Sequence, residues 1–180
     1  MDWKEHFSCD EQGVLVWKVR DVVHFPSASA CGKFNSRIAG SVAGSKQRYK
    51  GGKRKCIKIT ISIRGKAMNF KAHRIVWEMH HGPIPDGVLI DHANGDPWDN
   101  SLSNLRLASN AENCRNAAVS KNCRSGMKGA YWNNRDQRWR SAICVNRKRI
   151  QLGSFATADE AHAAYCNASQ KFHGDFSRTQ

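Results

Sequence analysis

The chain has 180 residues, 40% of them hydrophobic, which is enough for one ordinary domain or for two or three small ones. Its 29 lysines and arginines against 15 acidic residues give a net charge of +14, which is typical of proteins that bind a polyanion, nucleic acid first and an anionic membrane second. No run of 18 or more apolar residues exists, and the charged first ten residues do not form a signal peptide. We therefore expect no membrane partner and a cytoplasmic location.

Residues 1–70 are predicted to form a β-rich, basic N-terminal extension. Short strands are expected over residues 14–17 and 56–63, because apolar residues in the second stretch alternate with period two. That alternation puts four isoleucines on one face: Ile57, Ile59, Ile61 and Ile63. A turn at 64–66 and a return strand at 67–71 follow, whereas the glycine, serine and lysine content of residues 27–52 predicts a loop.

Residues 71–120 are predicted to form helix, strand, loop, strand and helix in turn. The first helix covers residues 72–81, ends at Gly82-Pro83, and has Ile75, Val76 and Met79 along one side. Short strands are expected at 88–91 and 105–107 on either side of a polar loop at 96–103. Ser109 and Glu112 have capping-box spacing, which predicts a second helix that runs to about residue 119.

Residues 121–180 are predicted to form a compact C-terminal unit after a linker at 120–126. Strands are expected at 128–132, 138–145 and 149–152. A second capping box at residues 157–160 opens a helix that ends before Gly174. Its predicted buried residues recur every three or four positions: Ala161, Ala164, Tyr165, Ala168 and Phe172. The fold class predicted for the whole chain is α+β.

The charges are distributed in blocks. Residues 46–74 contain eleven lysines and arginines and no acidic residue, and residues 121–149 contain nine against the single Asp136. Between them lie most acidic residues of the middle of the chain, namely Glu78, Asp86, Asp91, Asp96, Asp99 and Glu112. This pattern indicates a cation site between two phosphate-binding surfaces, and two solvated basic faces are the alternative.

The cysteines give no support for a covalent or metal framework. There are seven, an odd number, and no two are spaced Cys-x-x-Cys. A disulfide framework is therefore not expected, and isolated thiols are preferred over a zinc site.

Three residues have the chemistry for cutting a phosphodiester. Asp91 can hold a hard cation through oxygen. His92 can act as a general base because the reference pKa of histidine lies near neutrality. Asn113, one turn into the capped helix, is placed to supply a second oxygen ligand.

The surrounding motifs resemble the HNH endonucleases with a ββα-metal site, particularly the phage and intron-encoded homing type. The resemblance covers residues 72–116 and rests on Ile90 to Asp96, Asp99-Asn100, Asn104 to Arg106 and Glu112 to Asn116. It implies that His92 is the general base and that Asp91 and Asn113 hold one divalent metal. Because Asn113 stands where many of these proteins have a second metal-binding histidine, Mg²⁺ or Mn²⁺ is expected rather than Zn²⁺.

The same resemblance assigns supporting roles to neighbouring residues. Asn104 would be the middle asparagine, which holds the loop and supports the histidine. Asp96 and Asn100 would tie the loop, and Asn116 would be structural. His73-Arg74 would be structural or contact phosphate, and His80 and His81 are expected to be exposed at the helix end.

The C-terminal unit resembles the AP2 DNA-binding domain over residues 125–176. The resemblance rests on Gly129 to Trp132, Arg138 to Ile143, Leu152 to Thr157 and Glu160 to Tyr165. It implies a three-stranded antiparallel sheet packed on one helix, with the open sheet face in the major groove.

The alternation of residues in the predicted strands agrees with this fold. The face toward the helix would carry Trp132, Trp139, Ile143, Ile150 and Leu152. The open face would carry the DNA-binding candidates Tyr131, Asn133, Arg138, Arg140, Arg149 and Gln151. Tyr131, Asn133 and Cys144 stand where arginines usually read bases in that family, so the target sequence does not carry over. Lys53, Arg54 and Arg74 are further candidates, for contact with the DNA backbone.

Together these features predict a metal-dependent endonuclease, possibly of the homing type, that acts on double-stranded DNA. One site per chain implies nicking by a monomer, or a homodimer for a double-strand break. The alternative is a DNA-binding regulator that keeps the AP2-like unit and does not cut. A general RNA-binding protein would not explain the Asp91-His92 pair.

Overall fold

The computed structural model describes residues 1–48, 55–63, 66–120 and 122–179. It divides into two compact units, Met1–Ala108 and Ser109–Gln180. Both contain helices and antiparallel sheets, so the predicted α+β class is confirmed. The three segments predicted from sequence (1–70, 71–120 and 121–180) were delimited by sequence motifs, whereas the two units are delimited by contacts in the fold. The three-segment division stays a prediction. Across the described ranges, no helix combines the length and apolar character needed to span a membrane.

Over its described residues, the first unit contains three small antiparallel sheets and two α-helices. The sheets pair β1 with β2, order β3, β4 and β5 side by side, and pair β6 with β7. In chain order the elements are β1 (Phe7–Cys9), β2 (Leu15–Trp17), α1 (Ala28–Arg37), β3 (Ser45–Arg48), β4 (Lys55–Ile63), β5 (Lys66–Lys71), α2 (Ala72–His81), β6 (Leu89–His92) and β7 (Leu105–Ala108).

The prediction for residues 27–52 was wrong where the structure describes them. Ser27 caps α1 by accepting a hydrogen bond from the backbone of Ala30, and β3 follows the helix. Phe34 packs edge-on against Trp17, with ring centroids 5.4 Å apart. A local helix cap and a long-range aromatic contact therefore stabilise a helix in a stretch whose glycine and serine content predicted a loop. Residues 64 and 65 of the predicted turn, and both Lys53 and Arg54, lie outside the described ranges.

A hydrophobic core joins the N-terminal half of this unit to the strands that carry the candidate site. Ile59 and Ile61 are fully buried, as the alternation predicted, and the return strand pairs with them as β5. The core also contains Trp3, Phe7, Leu15, Trp17, Ile75, Val76, Ile90 and Leu105. The predicted helix at 72–81 is confirmed, and Gly82 ends it with a positive φ of 81°. The strands β6 and β7 are therefore anchored to this core by the side chains of Ile90 and Leu105.

The second unit, where the structure describes it, is a three-stranded sheet with one long helix, preceded by a short one. In chain order the elements are α3 (Asn110–Arg115), β8 (Ala130–Asn133), β9 (Arg138–Val145), β10 (Lys148–Phe155) and α4 (Ala158–His173). The sheet order is β10, β9, β8, and α4 packs across all three strands. Both predicted capping boxes are present. The prediction that α3 reaches residue 119 was wrong, because the helix ends at Arg115.

Several details of the C-terminal face differ from the alternation. A bulge between Gln151 and Gly153 shifts the register of β10, so that Phe155 lies opposite Trp139. The middle strand is the most deeply covered: Ser141 is 0% exposed, whereas Trp132 and Ile150 on the outer strands are about 40% exposed. A single helix is too narrow to bury both edges of the sheet. Phe172, predicted to be buried, is exposed near the end of α4.

Candidate active site

Asp91 is a buried carboxylate paired with an arginine on the neighbouring strand. The register of β6 and β7 places Asp91 opposite Arg106. The Nε and Nη2 atoms of Arg106 lie 3.0 and 2.9 Å from Oδ2 of Asp91, which is only 5% exposed. A buried carboxylate is costly without an opposite charge, and Arg106 supplies that charge from the neighbouring strand.

His92 follows on the other face of β6 and is held by an asparagine. Its Nε2 lies 3.1 Å from Oδ1 of Asn100, which is almost completely buried. A carboxamide oxygen can only accept, so Nε2 carries the proton and Nδ1 is the nitrogen that can take one up. The contact therefore fixes both the ring orientation and the tautomer.

A second histidine packs against the ring of His92. His73, in the first turn of α2, lies perpendicular to it with ring centroids 5.1 Å apart. Burial, reinforced by the neighbouring His92 imidazole and by the positive charges of Lys71 and Arg74, lowers the pKa of His73 to about 3. His73 therefore remains neutral at neutral pH and adds no charge beside His92. His80 and His81 are exposed, as expected from their place at the end of α2.

Asn104 ties the loop between the two strands. Its side chain accepts a hydrogen bond from the backbone of Asn94 at 2.9 Å and donates to the carbonyl of Asp99 at 2.8 Å. Asp96 accepts from the backbone of Trp98, which also restrains the loop. The side chain that accepts a hydrogen bond from His92 is that of Asn100, which was predicted only to tie the loop.

The N-terminal hairpin approaches this loop closely. Gly13, between β1 and β2, has a positive φ of 73°. A Cβ atom there would overlap the carbonyl group of Asn100. Only glycine fits, so the N-terminal extension directly braces the residue that holds His92. The motif itself carries no sequence signal for this contact, because the two residues are far apart in the chain.

Asn113 lies in the second unit, on α3. The capping box of Ser109 and Glu112 starts the helix, and the backbone N–H of Asn113 donates to the carbonyl of Ser109 at 3.0 Å. Its side chain is half-buried, one turn into the helix as predicted. Asn116 is 5% exposed and caps the C-terminal end, which agrees with a structural role.

The predicted DNA-binding residues of the second unit share the open face of its sheet. The register pairs Tyr131 with Arg140, Asn133 with Arg138, and Arg149 and Gln151 with residues of β9 on that face. Arg149 lies over the ring of Tyr131, 4.8 Å from its centroid, and the Tyr131 hydroxyl donates to Gln151 at 3.1 Å. Asp136, absent from the predicted set, contacts both Arg140 and Asn133. Arg74 is half-buried in the first unit, beside His73.

One other group of possible metal ligands occurs among the described residues. Ligand atoms of Glu5, His6 and His24 lie within 4.8 Å of one another. Burial, together with the positive charge of Arg20, lowers the pKa of His6 to about 4. The buried guanidinium of Arg20 would repel a cation at this place, so the oxygen ligands of the HNH-like motif remain the better candidates.

Comparison with known proteins identifies relatives of this region. A family model described as HNH endonuclease matches residues 70–115. Protein 3.8 of Escherichia phage T7 is 36% identical over 108 residues, which cover 60% of this chain and 88% of that protein. An uncharacterized HNH endonuclease, L560 of Acanthamoeba polyphaga mimivirus, is 26% identical over 105 residues, or 58% of this chain and 54% of that protein. A solved structure described as DNA binding and cleavage by the HNH homing endonuclease I-HmuI aligns with 93% of this chain and 85% of that one, at 19% identity and a TM-score of 0.40.

The low pKa of His73 predicts that acid destabilises the first unit. Between pH 6.5 and about 3, the unfolded chain binds a proton at this histidine that the folded chain excludes. The free energy of unfolding should therefore fall by up to ~1.4 kcal/mol per pH unit below pH 6.5, with no contribution above it. Buried His6 adds the same sign down to about pH 4. Urea denaturation at pH 7 and pH 4.5 measures how much the free energy of unfolding falls between these two pH values. The fall should be smaller in His73→Phe than in the wild type, and exposed His80→Phe should show the same fall as the wild type. An unchanged loss in His73→Phe would contradict this account.

The close approach of Gly13 predicts a cost beyond backbone strain. Gly87 also has a positive φ, of 76°, but no atom lies within 4 Å of the position that a Cβ would take there. Gly87→Ala should therefore cost about 1–2 kcal/mol from strain alone, and Gly13→Ala about 1–3 kcal/mol more because the Asn100 backbone must move. Chemical denaturation measures the difference, and NMR of the ring nitrogens should show a shift at His92 only for Gly13→Ala. Equal effects of the two substitutions would show that the contact does not brace the loop.

Proposed function

The chain belongs to the HNH endonuclease family, and we propose that it is a metal-dependent DNA endonuclease that hydrolyses phosphodiester bonds. The observation that carries the proposal is the pair of adjacent residues on β6. Asp91 is a buried carboxylate paired with Arg106, and the ring of His92 is held through Nε2 by Asn100 with Nδ1 as the nitrogen proposed to take up a proton. A base and a bound cation each speed the hydrolysis of a phosphodiester, and these neighbouring residues of one strand offer a base and one oxygen ligand.

His92 is the proposed general base. Its Nδ1 takes a proton from the water molecule that attacks phosphorus, and the hydrogen bond from Nε2 to Asn100 keeps the ring oriented while it does so. Neutral His73 beside it leaves the uptake of this proton unopposed by a second positive charge. Asn104 acts through the loop that it ties, and we therefore assign it a positioning role in catalysis.

Asp91 and Asn113 are the proposed ligands of one divalent ion. A carboxylate and a carboxamide offer oxygen atoms, which fit Mg²⁺ or Mn²⁺ better than Zn²⁺. A bound ion would supply positive charge that stabilises the oxygen leaving phosphorus. Arg106 pairs with the carboxylate of Asp91 and fixes its orientation on β6.

The second unit is proposed to bind double-stranded DNA in the manner of an AP2 domain. Its sheet has one open face, with Arg149 and Tyr131 stacked at one edge. The residues proposed to contact DNA from this face are Tyr131, Asn133, Arg138, Arg140, Arg149 and Gln151. In the first unit Arg74 is proposed to contact the DNA backbone, as are Lys53 and Arg54 of the chain between β3 and β4. With one site per chain, a monomer would nick one strand and a homodimer would cut both.

A DNA-binding regulator without nuclease activity is the second candidate. One observation favours this candidate. The Nε and Nη2 atoms of Arg106 both contact Oδ2 of Asp91, and they would therefore compete with a cation for that oxygen. A regulator, however, has no use for a histidine whose tautomer is fixed by a buried asparagine. The two candidates differ in whether the protein cuts.

Removal of the base should slow cutting strongly and leave binding intact. Purified protein should nick supercoiled plasmid only with Mg²⁺ or Mn²⁺, and His92→Ala should reduce the rate by about 10²–10⁴-fold. Gel-shift affinity of His92→Ala for the same DNA should match the wild type, and exposed His80→Ala is the matched control. Cutting by His92→Ala at the wild-type rate would refute the assignment, and a wild type that binds but never cuts would favour the regulator.

Loss of the sheet face should weaken binding without slowing the chemical step. Arg149→Ala should lower DNA affinity and reduce the slope of log affinity against log salt by about 0.9, because one phosphate contact is lost. The cleavage rate at saturating DNA should stay that of the wild type. Lys171→Ala, which removes the same charge from the helix side of this unit, should leave affinity unchanged. Unaltered affinity and salt dependence in Arg149→Ala would exclude this face from the interface.

A further inference from the structure

Lys128 uses its ammonium group inside the protein. Its Nζ lies 2.5 Å from the carbonyl oxygen of Arg115, 2.8 Å from that of Ala117 and 2.9 Å from that of Arg178. A lysine has three N–H donors, so these three carbonyls account for all of them. Partial burial, with the nearby charge of Arg178, lowers the pKa of Lys128. In a chain of this charge most lysines are candidates for phosphate contacts, but this one is already occupied.

Two of the three carbonyls that Lys128 binds, those of Arg115 and Ala117, lie at or just beyond the end of α3. This helix has only six residues, too few to be stable by its own hydrogen bonds. Its N-terminal end is closed by the capping box of Ser109 and Glu112. At the other end, Lys128 satisfies the carbonyls of Arg115 and Ala117 and places a positive charge where the helix dipole is negative. Asn113 lies between two clamped ends.

The backbone of Lys128 is fixed to the DNA-binding part of the same unit. His162 of α4 donates from Nδ1 to the Lys128 carbonyl at 2.8 Å. The next residue, Gly129, has a positive φ of 80°, and a Cβ there would overlap the Tyr165 ring. Ala130 then begins β8, the strand that carries Tyr131. The side chain of Lys128 therefore holds α3 while its backbone is held by α4 and the sheet.

We propose that Lys128 is a positioning residue that couples the DNA-binding sheet to α3 and so sets the orientation of Asn113. This proposal rests on the proposed function, in which Asn113 is a metal ligand. A basic residue of a nuclease can either contact DNA phosphate or position other catalytic groups, and Lys128 is proposed to have the second role alone. Loss of Lys128 should impair use of the metal and leave DNA affinity alone, because no donor of its ammonium faces the solvent unpaired.

The test compares Lys128→Met and Lys128→Arg with Lys171→Met, which removes an exposed charge from α4. Lys128→Met should lower the single-turnover cleavage rate and raise the Mn²⁺ concentration for half-maximal activity, each by about tenfold. DNA affinity measured in EDTA, and its dependence on salt, should stay within twofold of the wild type. Lys128→Arg should not restore the metal response, because a planar guanidinium does not reproduce three bonds from one nitrogen. Lys171→Met should match the wild type in every measurement.

Hydrogen exchange at the backbone amides of Asn113 and Asn116 gives a readout that does not depend on cutting. Exchange should be faster in Lys128→Met and unchanged in Lys171→Met, and it can be followed in Lys128→Gln if the methionine variant does not fold. Unchanged exchange and metal response would overturn the proposal. Weaker binding with a smaller salt slope, rescued by Lys128→Arg, would overturn it in favour of a phosphate contact. A wild type that never cuts would refute the proposed function, and faster exchange in Lys128→Met would then still support the hold on α3.

Discussion

A carboxylate can lie inside a protein only if an opposite charge or several donors lie beside it, and much of the first unit follows from meeting this requirement at Asp91. The partner, Arg106, comes from the neighbouring strand, so it is the register of β6 and β7 that satisfies it. A slip of one residue would move Asp91 to the other face and leave both charges without each other. The ion pair therefore helps to fix the register that also presents His92 beside Asn100 and His73.

The rest of the unit keeps this short sheet in place. Strands of four residues have little stability alone, and β6 and β7 are anchored through Ile90 and Leu105 in a core shared with the N-terminal hairpin. Above the core, Asn104 closes the loop, and Asn100 is buried against His92. The second unit solves a similar problem at α3, where a capping box at one end and Lys128 at the other hold a helix of six residues.

Features that depend on neighbouring residues were predictable from sequence, and features that depend on distant ones were not. The alternation of Ile59 and Ile61 and both capping boxes are local patterns, and the structure has them. The helix α1 was missed because its hydrophobic contact, Phe34 on Trp17, joins residues whose pairing no local pattern reveals. At the candidate site, the sequence predicted roles for Asp91 and His92, which stay predictions, and their contacts with Arg106 and Asn100 follow from the strand register and the folded loop. The joint role of Asp91 and Asn113 stays a prediction, since each is described within its own unit.

The contact between Gly13 and Asn100 bears on how such proteins can diverge by recombination. The recognisable motif begins near residue 70, yet a backbone atom of its loop is in contact range of a turn near the start of the chain. Genetic exchange could join this motif to an unrelated N-terminal segment. That segment would then place a bulkier residue, or no residue, where Gly13 now lies against Asn100. The heritable unit should therefore be larger than the motif, with the first hairpin and the loop between β6 and β7 passed on together.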